Sequence, residues 1–244
     1  NDFYQAAVAF GKFQQALADF PAATLHETIP HFHDTEDRLN QLRASVEADA
    51  CGRVRAVGPE LTFIFSREQE LGTLCRMLRS GALPLRVTHN DTKLNNVLLD
   101  EQTGRARSVL DLDTVMPGLS VHDFGDAVRA ACSTAAEDER DLEKVTLDLD
   151  KFRAFADGFI SETASVLTKR ELECMALGAF TLALELSVRF LDDYITGDKY
   201  FKTYYPAHNL DRARCQMRLA QDMYKKLDAM DDIVSQIAHG VACR

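Results

Sequence analysis

The chain has 244 residues, 46% of them hydrophobic and 27% charged, which is enough apolar material for a sizeable globular core. The formal net charge of -10 argues against nucleic acid or an anionic membrane surface as a partner, because both bind clustered lysine and arginine. No leader peptide, membrane-length apolar run or CxxC pair is found, so we expect a cytoplasmic protein whose six cysteines are reduced.

The first third of the chain is predicted to form helices. Apolar residues recur there at helical spacing, and Pro21 and Gly81 end the first and third patterns. The predicted helices cover residues 3–20, 35–50 and about 59–81. Thr35 is expected to cap the second helix, and a proline and three histidines indicate a loop before it.

Three short strands are predicted next, at residues 85–87, 96–99 and 106–112. The turn-forming residues 100–104 join the last two strands in a hairpin. Motifs in this region therefore lie on a small β region embedded in helices.

The second half of the chain returns to helical periodicity. The predicted helices cover residues 123–131, 149–167, 169–194 and 210–237. Thr168 and Glu171 form a capping box, which supports a helix that begins there. Together with the strands, this pattern predicts a mainly helical α+β fold.

A short polar segment between two apolar runs carries the strongest functional signal. It begins His89-Asn90-Asp91, and Asn96 follows Asp91 by five positions. Kinases use this spacing, with the aspartate accepting the proton of the acceptor hydroxyl and the asparagine binding magnesium. Asp91 is therefore the candidate catalytic base and Asn96 a candidate Mg²⁺ ligand. Lys93 is expected to contact the γ-phosphate of ATP, and His89 to brace the loop.

A second metal ligand is expected at Asp111, which ends a predicted strand and has the oxygen chemistry that Mg²⁺ prefers. An Asp-Phe-Gly triplet at Asp123 also matches the metal-binding triplet of protein kinases. Because Asp123 opens a helical pattern instead of following a strand, we predict that it caps that helix. The structural alternative is that Asp91 and Asn96 only stabilise a turn, but their register with Asp111 favours catalysis.

The motif residues from His89 to Asn96, with Leu110-Asp111-Leu112-Asp113, resemble the catalytic lobe of the aminoglycoside phosphotransferase and choline kinase superfamily. Further segments resemble its N-acetylhexosamine 1-kinase branch, at residues 27–30, 32–33, 111–118, 122–126, 188–191, 193–198 and 205–210. This resemblance implies that residues 1–244 form a protein-kinase-like C-terminal lobe, with short β-hairpins carrying the catalytic loop.

The same resemblance implies ATP- and Mg²⁺-dependent phosphorylation of the anomeric hydroxyl of an N-acetylhexosamine. It gives Asp91 as the base, Asn96 and Asp111 as metal ligands, and Arg189 and Tyr200 as sugar contacts. The last two have ordinary alternatives. Arg189 stands four residues after Glu185 and could form a helical ion pair, and Tyr200 could be a packing residue.

Kinases of this shape also have a smaller N-terminal lobe, with a glycine-rich loop and a strand lysine that cover the nucleotide. No GxGxxG occurs here and the first predicted element is a helix, so this lobe is expected to be missing from the chain. Two alternatives stay open: a kinase of another small acceptor, such as an aminoglycoside, choline or methylthioribose, and a non-catalytic pseudokinase.

Overall fold

The computed structural model describes residues 2–242 and confirms a mainly helical fold with a small β region. Within these residues the helices are α1 (Asp2–Ala16), α2 (Thr35–Ala48), α3 (Gly58–Phe65), α4 (Glu68–Leu71), α5 (Thr73–Arg79), α6 (Ser120–Ala131), α7 (Leu149–Thr163), α8 (Lys169–Glu173), α9 (Met175–Thr196) and α10 (His208–Ala242). The strands are β1 (Arg86–Thr88), β2 (Val97–Leu99), β3 (Ala106–Val109) and β4 (Met116–Gly118).

Most of the helices share one apolar core, with α9 at its centre, and a smaller second cluster includes Leu74, Leu83 and Leu119. Helices α2, α6 and α10 pack against α9, and α1 packs against α7. Phenylalanines from four helices fill the core and are almost completely buried: Phe10, Phe124, Phe152, Phe155, Phe159 and Phe180. Because α9 is enclosed on all sides, its polar side chains must find partners inside the protein.

The strands form two antiparallel pairs. β2 and β3 form the predicted hairpin, in which Val97 is opposite Val109. β1 pairs with β4, which places Val87 opposite Pro117. The sequence analysis missed β4, because a three-residue strand that contains proline and glycine lacks the usual strand signal. This second pairing brings the start of the catalytic motif next to the segment after Asp111.

Several predicted boundaries differ from the structure. The helix predicted over 59–81 is three short helices, and the helix predicted over 169–194 divides at Cys174 into α8 and α9. Asp34, and not Thr35, is the N-cap of α2, since its carboxylate accepts the N–H of Asp37 at 3.1 Å. The capping box of Thr168 and Glu171 is present as predicted.

Among residues 2–242, no helix combines the length and the apolar character needed to cross a membrane.

Candidate active site

The predicted base, Asp91, lies in the loop of residues 89–96 that connects β1 to β2, which we call the catalytic loop. The side-chain N–H of Asn96 donates to the Asp91 carbonyl oxygen at 2.8 Å and to its carboxylate at 3.0 Å. The Nζ of Lys93 lies 2.7 Å from the other carboxylate oxygen. The structure therefore brings these three residues into direct contact, and the Asp91 side chain remains 24% exposed to a substrate.

Asp123 holds this loop in place from α6. Its Oδ1 accepts the backbone N–H of Asn90 at 2.7 Å, and its Oδ2 accepts that of His89 at 2.8 Å. Asp123 lies within the first turn of α6 and its side chain is buried in the protein, whereas Leu119 occupies the N-cap position. The prediction that Asp123 caps α6 is therefore wrong, because its carboxylate bonds loop amides instead of the free amides of its own helix.

Asp126 supports the same loop one turn later in α6. Its Oδ2 accepts the backbone N–H of Thr92 at 2.9 Å, and its Oδ1 accepts a guanidinium N–H of Arg129 at 2.9 Å. Burial by itself would raise the pKa of Asp126, but the charge of Arg129 outweighs it and the pKa is lowered. The carboxylate thus stays ionised and keeps its hydrogen bond to the loop at neutral pH.

His89 connects the loop to the hairpin, in agreement with its interpretation as a brace. Its Nε2 lies 2.9 Å from the Leu110 carbonyl oxygen, and the Leu110 N–H donates to the Asn96 carbonyl at 2.8 Å. Asp111 follows at once, with a left-handed backbone at φ 59° that aspartate tolerates better than most residues. These bonds place the two predicted metal ligands at adjacent ends of β2 and β3.

The chemistry of Asn96 and Asp111 fits Mg²⁺. Within residues 2–242, no donor bonds to Asn96 Oδ1 or to the exposed Asp111 carboxylate, so their oxygens are available as ligands. The same residues contain no group of three or more His, Cys, Asp or Glu side chains that could hold a metal ion. Magnesium does not need such a group, because it usually combines one or two side chains with phosphate oxygens and water.

A cavity of about 400 Å³ lies beside Asp91. Its lining includes Asp91 and Lys93 from the catalytic loop, Arg189 from α9, and Tyr200 from the aromatic connection that follows α9. Residues far apart in the sequence thus surround one space of the size that small-molecule sites have. We call this space the acceptor cavity.

The Arg189 guanidinium forms part of the cavity wall. Its Nη1 lies 3.6 Å from Glu185 Oε1, so the ion pair considered as an alternative is present. Its Cζ also lies 4.8 Å from the ring centroid of Phe32 and 5.6 Å from that of Phe201. Arg189 therefore forms the helical ion pair and lines the cavity at the same time.

Tyr200 is presented to the cavity by a loop that Asp193 organises. Asp193 Oδ1 accepts the backbone N–H of Lys199 and of Tyr200, each at 2.8 Å, and Oδ2 accepts that of Phe201 at 2.9 Å. The Tyr200 ring itself is 66% exposed and lies edge-on to Phe201. Its backbone is fixed, and its ring is accessible to a ligand.

The sequence analysis did not assign His33 and Glu185 to the site. The Glu185 carboxylate is completely buried and lies 2.9 Å from His33 Nδ1. Burial by itself would lower the pKa of His33, but Glu185 outweighs it and the pKa is raised. A carboxylate inside the apolar run of α9 requires a cationic partner, and that is the signal from which this pair could have been suspected.

His122 stands beside this pair, with its ring centroid 5.3 Å from that of His33. Burial, together with the positive charge of His33, lowers the pKa of His122 to about 3. Its Nε2 is buried without a hydrogen-bond partner among the residues that the structure describes. His122 is therefore a neutral residue next to a charged pair.

Two comparisons relate this arrangement to known proteins. A family model described as the phosphotransferase enzyme family matches residues 1–155, which include the catalytic loop, Asp111 and α6. Among solved structures, the fold is similar to that of choline kinase from Cryptosporidium parvum Iowa II, with a TM-score of 0.55 and 13% sequence identity. That match covers 93% of this chain and 67% of the choline kinase chain, and at this identity it shows the fold alone.

Proposed function

The chain belongs to the phosphotransferase enzyme family, and from this premise we propose that it is an ATP- and Mg²⁺-dependent sugar kinase. Its acceptor in this proposal is the anomeric hydroxyl of an N-acetylhexosamine, and its product is the sugar 1-phosphate. The observation that supports it best is the acceptor cavity, in which Asp91 and Lys93 lie together with Arg189 and Tyr200.

Asp91 acts on the acceptor hydroxyl. The hydroxyl oxygen forms a bond to the γ-phosphorus while the bond from that phosphorus to the bridging oxygen of ADP breaks. The hydroxyl proton passes to the Asp91 carboxylate, which Asn96 orients through its hydrogen bond of 3.0 Å. Lys93, now 2.7 Å from Asp91, is long and half exposed, so it can turn to the γ-phosphate.

Asn96 and Asp111 would hold the magnesium ion. When bound, Mg²⁺ neutralises charge on the β- and γ-phosphate oxygens. The hydrogen bond from the Leu110 N–H to the Asn96 carbonyl oxygen keeps Asn96 and Asp111 at adjacent strand ends.

The charges of the acceptor cavity favour a neutral acceptor over a cationic one. Its cationic residues are Lys93, Arg129, Arg189, Lys202, Arg212 and His33, whose pKa is raised, against three carboxylates, Asp91, Asp126 and Glu137. A quaternary ammonium group or an aminoglycoside would meet this excess of positive charge at short range. An uncharged sugar meets donors that suit its hydroxyl and acetamido oxygens.

The aromatic residues of the cavity support the same choice. A choline headgroup is usually held by cation–π contacts with several rings. Here the Arg189 guanidinium already lies over Phe32 and Phe201 and within 5.8 Å of the Tyr200 ring centroid. Two rings that could bind a ligand cation, those of Phe32 and Phe201, are therefore already in contact with a cation of the protein.

A comparison of acceptors tests the proposal. The full-length protein is given ATP and Mg²⁺ with N-acetylglucosamine, N-acetylgalactosamine, methylthioribose, choline or an aminoglycoside, and the product is identified by ³¹P NMR. We expect the signal of a sugar 1-phosphate with a hexosamine and no product with the two cationic acceptors. Phosphorylation of choline or the aminoglycoside without reaction of either hexosamine would reject the proposed acceptor.

Asp91→Asn is the variant that connects this activity to the site. Loss of a general base should lower kcat by about 10²- to 10⁴-fold. Asp19→Asn, at an exposed position at the end of the first helical segment, is the matched control and should keep the wild-type rate. Equal rates in the two variants would remove Asp91 from the mechanism.

A further inference from the structure

A buried pair, His33 and Glu185, connects the acceptor cavity to the catalytic loop. The His33 side chain is 7% exposed and that of Glu185 is 0% exposed. His33 Nδ1 lies 3.0 and 2.9 Å from the two carboxylate oxygens of Glu185. On the opposite side of the ring, His33 Nε2 lies 3.3 Å from the carbonyl oxygen of Asn90, the residue before Asp91.

The partners of His33 define its charge. A carboxylate and a backbone carbonyl only accept hydrogen bonds, so the ring must donate from both nitrogens to satisfy both partners. Only the imidazolium form carries both protons. The raised pKa of His33, in which the charge of Glu185 outweighs the effect of burial, agrees with this geometry.

Glu185 contacts both His33, which bonds the catalytic loop, and Arg189, which lines the acceptor cavity. The same carboxylate that binds His33 lies 3.6 Å from Nη1 of Arg189, which lines the acceptor cavity. Among the described residues, His33 is the only hydrogen-bond donor to the Asn90 carbonyl, and Asn90 has a strained left-handed backbone at φ 65°. In addition to the contacts from Asp123 and Asp126, the residue before Asp91 is therefore held by one contact made from the acceptor side.

We propose that His33 and Glu185 are positioning residues that keep the base Asp91 in register with the acceptor-binding Arg189, and that turnover requires the imidazolium form of His33. This inference rests on the proposed kinase function. It assigns no contact with substrate to either residue. When His33 loses the proton on Nε2, the Asn90 carbonyl oxygen loses its hydrogen-bond donor. The Glu185 carboxylate then keeps Arg189 as its only close cation among the described residues.

Charged and titratable groups on two helices face His33 and determine when it loses its proton. They are Glu185 and Arg189 from α9 and His122 and Asp126 from α6, while Arg38 from α2 acts indirectly through the charges of Glu185 and Arg189. His122 is neutral at the pH of interest, and Asp126 is bonded to Arg129. Glu185 is accordingly the group whose charge most stabilises the imidazolium.

The kinetic test uses Glu185→Gln and His33→Gln in the full-length protein, assayed with its best acceptor between pH 6 and 9.5. For the wild type we expect kcat to fall as the pH rises through the raised pKa of His33. Glu185→Gln should shift this fall to lower pH by about one unit or more and raise the KM for the acceptor, while the KM for ATP stays unchanged. His33→Gln should lower kcat about tenfold or more and abolish the alkaline fall.

His26→Gln is the matched control, because His26 is an exposed histidine on the same segment. Its pH profile should coincide with that of the wild type. An alkaline limb that Glu185→Gln leaves in place would overturn the proposal.

An NMR titration gives an answer that does not depend on activity or on the folding of the variants. We expect the ring ¹⁵N shifts of His33 in the wild type to report an imidazolium at pH 7. A neutral ring at pH 7 would refute this inference even if the kinase is active. An imidazolium in a protein that phosphorylates no acceptor would instead contradict the proposed function.

Discussion

Two carboxylates of α6, those of Asp123 and Asp126, hold the backbone of the catalytic loop in position. Asp123 accepts two successive backbone N–H groups of the loop, and Asp126 accepts a third. Asp123 also accepts a hydrogen bond from Gln14, which joins α1 to the same point. Burial raises the pKa of the Asp123 carboxyl group, and the N–H groups that it accepts oppose that effect. A buried carboxyl group with several donors holds the backbone of the loop in one conformation.

Asp123→Asn should weaken this support. An asparagine offers one acceptor oxygen and turns an NH₂ group toward a loop N–H, so at least one buried donor loses its partner. We expect the free energy of unfolding in urea to fall by about 1–3 kcal/mol. We also expect kcat to fall about tenfold or more, because the base is displaced.

Asp228→Asn is the control for Asp123, since Asp228 is an exposed aspartate in α10. Asp228→Asn should leave both the free energy of unfolding and kcat at the wild-type value. A stable Asp123→Asn protein with full activity would show that the loop does not need this carboxylate.

The proposed binding of the acceptor by Arg189 is expected to depend on the planar shape of the guanidinium as well as on its charge. Arg189→Lys keeps the charge but loses the flat group that lies over Phe32 and Phe201. The KM for the acceptor should rise about tenfold, with a much smaller change in the KM for ATP. Arg55→Lys, at an exposed position, serves as the control in the same steady-state assay. An unchanged acceptor KM would remove Arg189 from the sugar site.

At the scale of elements, the contact between α6 and α9 sets the distance between the two halves of the site. α6 carries the carboxylates that hold the loop, and α9 carries Glu185 and Arg189. The helices touch at two glycines. A Cβ at Gly125 would lie 2.5 Å from the Gly178 carbonyl oxygen, and one at Gly178 would lie 2.3 Å from the Val121 carbonyl oxygen.

Gly178→Ala should force the two helices apart. The obstructing atom is a backbone oxygen, which cannot move aside as a flexible side chain does. We expect a loss of about 1–3 kcal/mol in the free energy of unfolding, as in other overpacked cores, and a lower kcat. Gly240→Ala is the control, because a Cβ at that helical position meets nothing within 4 Å and should leave stability equal or slightly higher. Similar stabilities of the two alanine variants would contradict the close helix contact.

At the scale of the whole molecule, His122 and His33 give the free energy of unfolding opposite dependences on pH. The pKa of His122 is about 3 in the folded protein against 6.5 as its ordinary value. Between these values the unfolded chain takes up a proton that the folded chain does not, so stability falls as the pH drops below 6.5. The pKa of His33 is raised, so its contribution is fully present below 6.5 and is lost as the pH rises through the folded value.

His122→Leu isolates the acidic part of this dependence. At pH 5 the buried neutral His122 should cost about 2 kcal/mol of folding free energy, and a leucine should remove that cost. Urea unfolding should therefore show that the free energy of unfolding falls less between pH 7.5 and pH 5 for the variant than for the wild type. His26→Gln should follow the wild type at both values. Parallel behaviour of His122→Leu and the wild type would mean that His122 titrates normally.

The contact between Asp91 and Asn96 could be predicted from the sequence, because their spacing and the position of Asp111 after a hairpin are short-range patterns. Lys93 pairs with Asp91 in the structure, and its contact with the γ-phosphate stays a prediction. The helical class and the hairpin were also predictable, because periodicity and turn residues act over a few positions.

Helix ends were less predictable. Asp123 shows why, since its place at the start of a periodic pattern suggested a cap, whereas its partners are 33 and 34 residues away. The same holds for β4, which forms only because β1 is available to pair with it.

The sequence by itself determined the phosphotransferase family and the fold class of this protein. Only the tertiary structure decided that His33 bonds Glu185 across 152 residues, and that the Arg189 side chain and the exposed Tyr200 ring line one cavity with Asp91. The physical reason is that a buried charge needs a partner but not a neighbour in the chain. Burial and long-range hydrogen bonds therefore leave no periodic signal in the sequence, and they follow from how α6 and α9 pack.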